Sequence, residues 1–499
     1  MAAVGELLFT GMTDWKNIGR GKTQDEEKYP NILQPTRLTS MVGVSIVAVC
    51  GGSASAHCMA IAEDGRVFTW GRNEAGQLGH GDLGNRSSPT VVKALDGVKV
   101  VAGSCGKNHS VVVTDTGASY AWGSNKHGQL GVGSIARTKP KEDDNRLVPV
   151  ICTVANTSAV ACGAEFTTWI AGEGGAVYSA GLPQYGQLGH GTDHEYNMNQ
   201  GSVKLAYEAQ PAPRLISALS ERKVLKVACG HNHTVVVDDK GKIWTWGFGG
   251  YGRLGHKLQK DEFSPRMVEI QGGERNLCPP DCILAAGSTS SWVTCLQGQM
   301  YAFGKLKTTG DNNMYPIPFM DFQGWNLRSV AAGNTTFAAA GGDQTITWGQ
   351  GAGQGELGYG PAGPKSSANP KLVESLEEKM VHQVACGVGH TLFIIDPAHA
   401  EGLPTWEPPS DEDTAAEAAV AAAGVKRKGG PAAAEAKKAP KKAPAPKKAP
   451  AAKKQPAAKK TIVKAAPKKK AAPTVGDLSK KSAAARKAAV ARMGAEDSD

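Results

Sequence analysis

Long apolar runs are missing from this chain. No stretch of about 18 consecutive apolar residues occurs, so no membrane-spanning helix and no membrane insertion are expected. Cationic residues are missing before Lys16, and Glu6 precedes it, which argues against a secretory or organellar leader. Disulfide-like cysteine spacing is missing as well. Of the ten cysteines, Cys50, Cys105, Cys162, Cys229 and Cys386 stand at one point of a repeat. Equivalent positions around a ring cannot all pair with one another, so they read as buried free thiols in a reducing compartment. Cys278 and Cys282 lie four residues apart with no further pair of ligands at sensible spacing. No metal site and no cofactor are therefore expected.

What is present is a repeat. Seven times a strand-like segment ends in an aromatic or small residue plus glycine, at Gly11, Gly71, Gly123, Gly181, Gly247, Gly304 and Gly349. The spacing of 45 to 66 residues is that of propeller blades. Five copies run on into a turn: Gln77-Leu78-Gly79, Gln129-Leu130-Gly131, Gln187-Leu188-Gly189, Arg253-Leu254-Gly255 and Glu356-Leu357-Gly358. Roughly a dozen residues before each Trp-Gly pair stands a Cys-Gly-x-x-His motif, as in Cys105 to His109 and Cys229 to His233. An apolar run such as Val111-Val112-Val113 follows it, as a buried strand requires. Asp64-Gly65, Thr116-Gly117 and Lys240-Gly241 mark tight hairpins. Each unit is thus an antiparallel sheet of about four strands, too small to stand alone, whose apolar surface is buried by radial stacking.

The two ends complement each other. The N-terminus starts late in a unit with Leu7-Leu8-Phe9-Thr10-Gly11, and the last unit stops after Ile395-Asp396. Joining them into one blade completes both and leaves no open edge. The expectation is an all-β, seven-bladed β-propeller over residues 1–398, closed by N- and C-terminal strands that share one blade. An acidic, Ala-rich linker over 399–425 and a disordered basic tail over 426–499 follow it.

Charge separates these parts. Residues 426–499 hold 19 lysines and 3 arginines against 5 acidic residues, a net +17, which leaves −7 for residues 1–425. The tail carries Lys426-Arg427-Lys428, Lys437-Lys438, Lys441-Lys442, Lys447-Lys448, Lys453-Lys454, Lys459-Lys460 and Lys468-Lys469-Lys470, interleaved with alanine and proline. Proline and lysine repulsion oppose folding, so disorder is expected, in a style similar to linker-histone tails. Such a tail suits nuclear import and contact with chromatin or nucleic acid, with binding that weakens steeply with salt. No base-reading element is present, so no sequence specificity is expected. Ala415–Ala423 and Ser479–Met493 have the composition of short helices.

The repeats resemble the regulator of chromosome condensation family over roughly residues 5 to 396, and are most similar to its telophase-disc branch. Cys162-Gly163-Ala164-Glu165-Phe166, the run Trp246 to His256 and Gly355-Glu356-Leu357-Gly358-Tyr359-Gly360 carry that similarity. The resemblance implies a nuclear protein, not a bond-making enzyme, that binds a Rac-, Arf- or Ran-type small GTPase. It also implies association with chromosomes, centromeres, microtubules or the mitotic spindle in cell division. The founding member is a guanine-nucleotide exchange factor, which is the alternative function. Exchange in the family uses acidic and histidine residues in the loops beside the Gly-x-x-His slot, plus an inserted β-wedge. Here those loops offer Lys107, Asn108, Glu165, His231 and Asn232 as GTPase-facing candidates, of which Glu165 and His231 have suitable side chains. Lys107 has the wrong sign for repelling phosphate. A wedge has three possible places, Ile135–Leu147, Thr192–Arg214 and Leu258–Pro280. An ultraviolet photoreceptor on this fold would need Gly-Trp-Arg-His-Thr repeats, and the nearest string is Gly324-Trp325-Asn326-Leu327-Arg328.

His57, His109, His233 and His390 recur at one repeat position, but Phe166, Ser291 and Thr336 fill it in sister blades. A residue so replaced fills a structural slot and is not a catalytic base. The propeller is expected to be monomeric.

Overall fold

The computed structural model describes residues 3–136, 144–198, 203–270, 277–307 and 309–410. The tail from Lys426, most of the linker and both short helices expected of them lie outside the described residues.

Seven antiparallel sheets follow one another along the chain. Blade 1 comprises Ile46–Cys50, His57–Ala62, Val67–Gly71 and Arg86–Val91, hydrogen-bonded in that order from inside to outside. Blades 2 to 6 repeat the plan and begin at Val100, Thr157, Val224, Leu284 and Leu327. Blade 7 takes its two inner strands from the C-terminus, Val381–Cys386 and His390–Ile395, and its next two from the N-terminus, Glu6–Gly11 and Ile32–Leu38. The seam runs in register from Glu6 opposite Ile395 to Gly11 opposite His390. The expected closure is therefore present, and an Arg37–Glu6 ion pair at 2.7 Å ties the two N-terminal strands together.

The second strand of each blade is the core strand. Its residues are buried throughout in His57–Ala62, His109–Thr114, Phe166–Ala171 and His233–Asp238. This explains continuous apolar runs in place of alternation, because both faces meet a neighbouring blade. The inner strands bear small residues where seven of them converge on the axis, among them Gly103, Ala161, Ala228, Ala285 and Ala385.

The outermost strands show a pattern that sequence reasoning missed. Each carries a proline: Pro35, Pro89, Pro149, Pro213, Pro265, Pro316 and Pro370. It coincides with a register shift against the third strand in every blade. Proline removes a donor at an exposed edge and the bulge bends it away, which discourages edge-to-edge pairing. Blade 7 has a further cover. After a short helix at Pro397–Ala400, capped by Asp396, the chain returns as Thr405–Trp406, parallel to Arg37–Leu38. Arg37 N–H donates to the Pro404 carbonyl at 2.8 Å.

Most of the net negative charge of residues 1–425 lies beyond the blades. Glu401, Glu407, Asp411, Glu412, Asp413 and Glu417 supply six of the seven net negative charges of residues 1–425. The blades themselves are nearly neutral, and the acidity belongs to the segment that joins them to the tail.

Candidate partner-binding face

The loops between first and second strands and those between third and fourth strands emerge on the same side of the ring. Backbone pairing fixes this, since Ser124 N–H donates to the Asn108 carbonyl at 2.8 Å and Phe248 N–H to that of Asn232 at 2.9 Å. The first set of loops is stitched from blade to blade. Lys107 N–H donates to Ala164 O at 3.0 Å, Ala164 N–H to His231 O at 3.0 Å, and His231 N–H to Gly287 O at 3.4 Å. Ser288 to Gly333, Asn334 to Gly387 and Val388 to Ser55 continue the chain at 3.2, 3.4 and 2.8 Å. Loops normally carry the mobile parts of a fold, and here backbone bonds brace them.

The repeated histidines brace the same region from below. His57 Nε2 lies 2.8 Å from Ser110 Oγ, His109 Nε2 3.0 Å from Thr167 Oγ1 and His233 Nε2 2.9 Å from Ser291 Oγ, each hydroxyl belonging to the next blade. Those hydroxyls donate in turn to the carbonyls of Gln77, Gln129 and Arg253 in the repeat turns. The structural slot expected of these histidines is thus a bond that crosses between blades. His390 differs: its ring stands near Phe9 and Trp15 at 6.3 and 5.9 Å between centroids. Burial holds His57 and His109 down to about 3 and His390 to about 4, so all three are neutral. None of these three is poised to move protons at neutral pH.

The Gln-Leu-Gly turn has a matching reason. The Gln77 carbonyl also accepts from Trp122 Nε1 at 2.8 Å, and that of Gln187 from Trp246 Nε1 at 2.9 Å. The tryptophans are fully buried between blades. At Gly79 and Gly189, both with positive φ, a Cβ would come within 2.9 Å of the next blade's indole nitrogen. Only glycine fits that conformation at that distance.

All five GTPase-facing candidates lie on this face. Lys107 and Glu165 form an ion pair at 3.7 Å, and His127 Nε2 stands 3.4 Å from the same carboxylate. Glu165 thus already has a lysine partner, with the His127 ring beside it. Burial lowers the pKa of His231, with the charges of Lys107 and Arg253 adding to the effect. Asn108 and Asn232 act through their carbonyls, which close the turns at the third strands.

Sequence reasoning missed two features of the face. One is a paired hairpin, Glu195–Asn197 with Leu205–Tyr207, in the third-to-fourth loop of blade 3. Of the three stretches open to a wedge, this lies in Thr192–Arg214. Tyr196, Met198, Val203 and Leu205 are 49%, 55%, 82% and 50% exposed. The other is a cluster on blade 4 built from Phe248, Tyr251 and Arg253. Arg253 stands where sister turns have glutamine, and its guanidinium lies over the rings of Phe248 and Tyr251 at 4.6 and 5.5 Å. It donates to the carbonyls of Gly250 and Ser288, which joins blade 4 to blade 5. Because arginine cannot accept the turn's N–H, Gln259 Oε1 accepts it from Tyr251 at 3.0 Å.

A closed seven-bladed ring with these repeats and this loop face defines a class. The RCC1-like domain profile matches residues 6–393, and the chain belongs to that family. It is 36% identical over 420 residues to Protein RCC2 of Mus musculus, covering 80% of this chain and 78% of that one. Among solved structures it is similar to human WBSCR16, with a TM-score of 0.63 at 20% identity, covering 79% of this chain and 99% of that one. It is also similar to Prp20p from Saccharomyces cerevisiae, with a TM-score of 0.62 at 19% identity, covering 85% and 96%. These structures share the fold.

Proposed function

We propose that the protein is a non-enzymatic regulator of the nucleus and the dividing cell. Its loop face binds a small GTPase of the Ran, Rac or Arf type, and its basic tail holds chromatin or another polyanion of the chromosome or spindle. The observation that carries the first part is the blade 3 hairpin. Four large apolar side chains left in water on and beside the paired strands mark a contact surface. The +17 tail supports the second part, through counterion release from phosphates. The Prp20p structure is described together with that protein's binding to Gsp1p and histones. A partner of each kind is consistent with the present reading.

Scaffold and exchange factor separate in a nucleotide-release assay with loaded Ran, Rac and Arf proteins. The scaffold reading expects stoichiometric binding without turnover, because Glu165 is already paired with Lys107, with His127 beside it. Release accelerated by substoichiometric amounts of this protein would replace it with the exchange-factor reading.

A further inference from the structure

Tyr251 has a left-handed backbone, with φ of 64°. A bulky residue pays strain there, and such strain persists where function holds it. The equivalent turn positions in sister blades, Ala75, His127 and Tyr185, do not share this conformation. The conformation leaves the Tyr251 side chain 41% exposed on the loop face. Two cations flank it: Arg253 from within, and Lys305 of blade 5, whose Nζ lies 5.3 Å from the ring centroid. Among the described residues neither cation has a carboxylate within ion-pair distance. The charge of Asp261, which accepts from Gly249 N–H at 2.8 Å, offsets part of the effect of burial on Arg253.

We infer that Tyr251, bracketed by Arg253 and Lys305, is an anchor for an acidic polypeptide segment. A rigid, amphipathic tyrosine beside a lysine that has no carboxylate partner among the described residues is the composition of an interface hot spot. The occupant is a polypeptide and not a nucleic acid because both cations sit over the ring, where a base would have to stack. Arg253 is 3% exposed and committed to the Gly250 and Ser288 carbonyls, so what remains on offer is the phenol hydroxyl, the ring edge and the Lys305 ammonium, which suit a carboxylate-bearing chain. The blades are nearly neutral overall, so the attraction is local to this patch. The site goes beyond the GTPase reading and stands without it.

The test uses the full-length chain labelled with 3-fluorotyrosine. The Tyr251 resonance is assigned by its loss in Tyr251→Phe. A short Asp/Glu-rich peptide is added past saturation of the tail, beside an oligothymidylate of equal charge. The peptide should shift the Tyr251 resonance saturably, and Lys305→Glu should weaken that titration about tenfold by like-charge repulsion. The oligothymidylate should leave the resonance in place. An unmoved resonance with the peptide, an equal shift with the oligothymidylate, or an unchanged titration in Lys305→Glu would overturn the assignment.

Discussion

The buried imidazoles tie the fold to pH. His57 and His109 titrate near 3 in the folded ring, and His80, His190, His256 and His390 near 4, all lowered chiefly by burial. In the unfolded chain each takes up a proton near 6.5. Below that value the unfolded state binds more protons than the folded one, so stability is lost as pH falls. The contribution is fully present above pH 6.5. Each such histidine removes about 1.4 kcal/mol per pH unit below that value, until its folded pKa is reached. Urea midpoints measured from pH 7.5 to 4.5 should therefore fall steeply below about pH 6. His109→Gln should flatten the slope while costing some stability at pH 7.5. A midpoint independent of pH over this range would contradict neutral, buried histidines. The inter-blade role of these residues was legible only in part. Their replacement by Phe166 and Thr336 marked a slot. In blade 5 it is filled by Ser290 opposite Gly304 and not, as expected, by Ser291, which is the hydroxyl partner of His233. Such a partner, 53 to 58 residues away in the next blade, could not be read from spacing.

Among the elements, the blades were legible and the insertions were not. Glycines at Gly79 and Gly189 recur because the next blade's indole excludes a side chain, so a local motif reports a tertiary contact. The split blade was legible because Leu7–Gly11 and His390–Ile395 each lacked partners of their own. The hairpin was not, since Tyr196 and Leu205 sit among polar residues without a clear alternation, and three insertions of similar composition compete for the role. Trp406 was also hidden: a two-residue strand after Pro404 has no periodicity to detect. The hairpin makes a specific prediction. Replacing Tyr196, Met198, Val203 and Leu205 together by serine removes exposed apolar area without opening the core. Thermal stability should stay within about 0.5 kcal/mol of the parent chain, as for surface changes generally. Affinity for the GTPase should fall at least about tenfold, as loss of a buried apolar anchor implies. Retained affinity in a pull-down or calorimetric titration would move the contact elsewhere on the face.

For the whole molecule, the blades are nearly neutral, the segment from Glu401 to Glu417 is acidic, and the tail carries +17. On the proposed function, this division would separate two kinds of contact by charge. A neutral, braced ring suits a shaped protein partner, and a cationic tail suits a polyanion of any sequence. All seven blades are complete by Trp406, so removing 426–499 takes away none of the described strands. The most direct measurement compares the full chain with residues 1–425 in paired titrations, one with the GTPase and one with duplex DNA over a range of salt. The account expects both proteins to bind the GTPase equally. It expects only the full chain to bind DNA, with a log–log salt slope of roughly −0.9 per phosphate neutralised. DNA binding undiminished in 1–425, or GTPase binding lost with the tail, would contradict it.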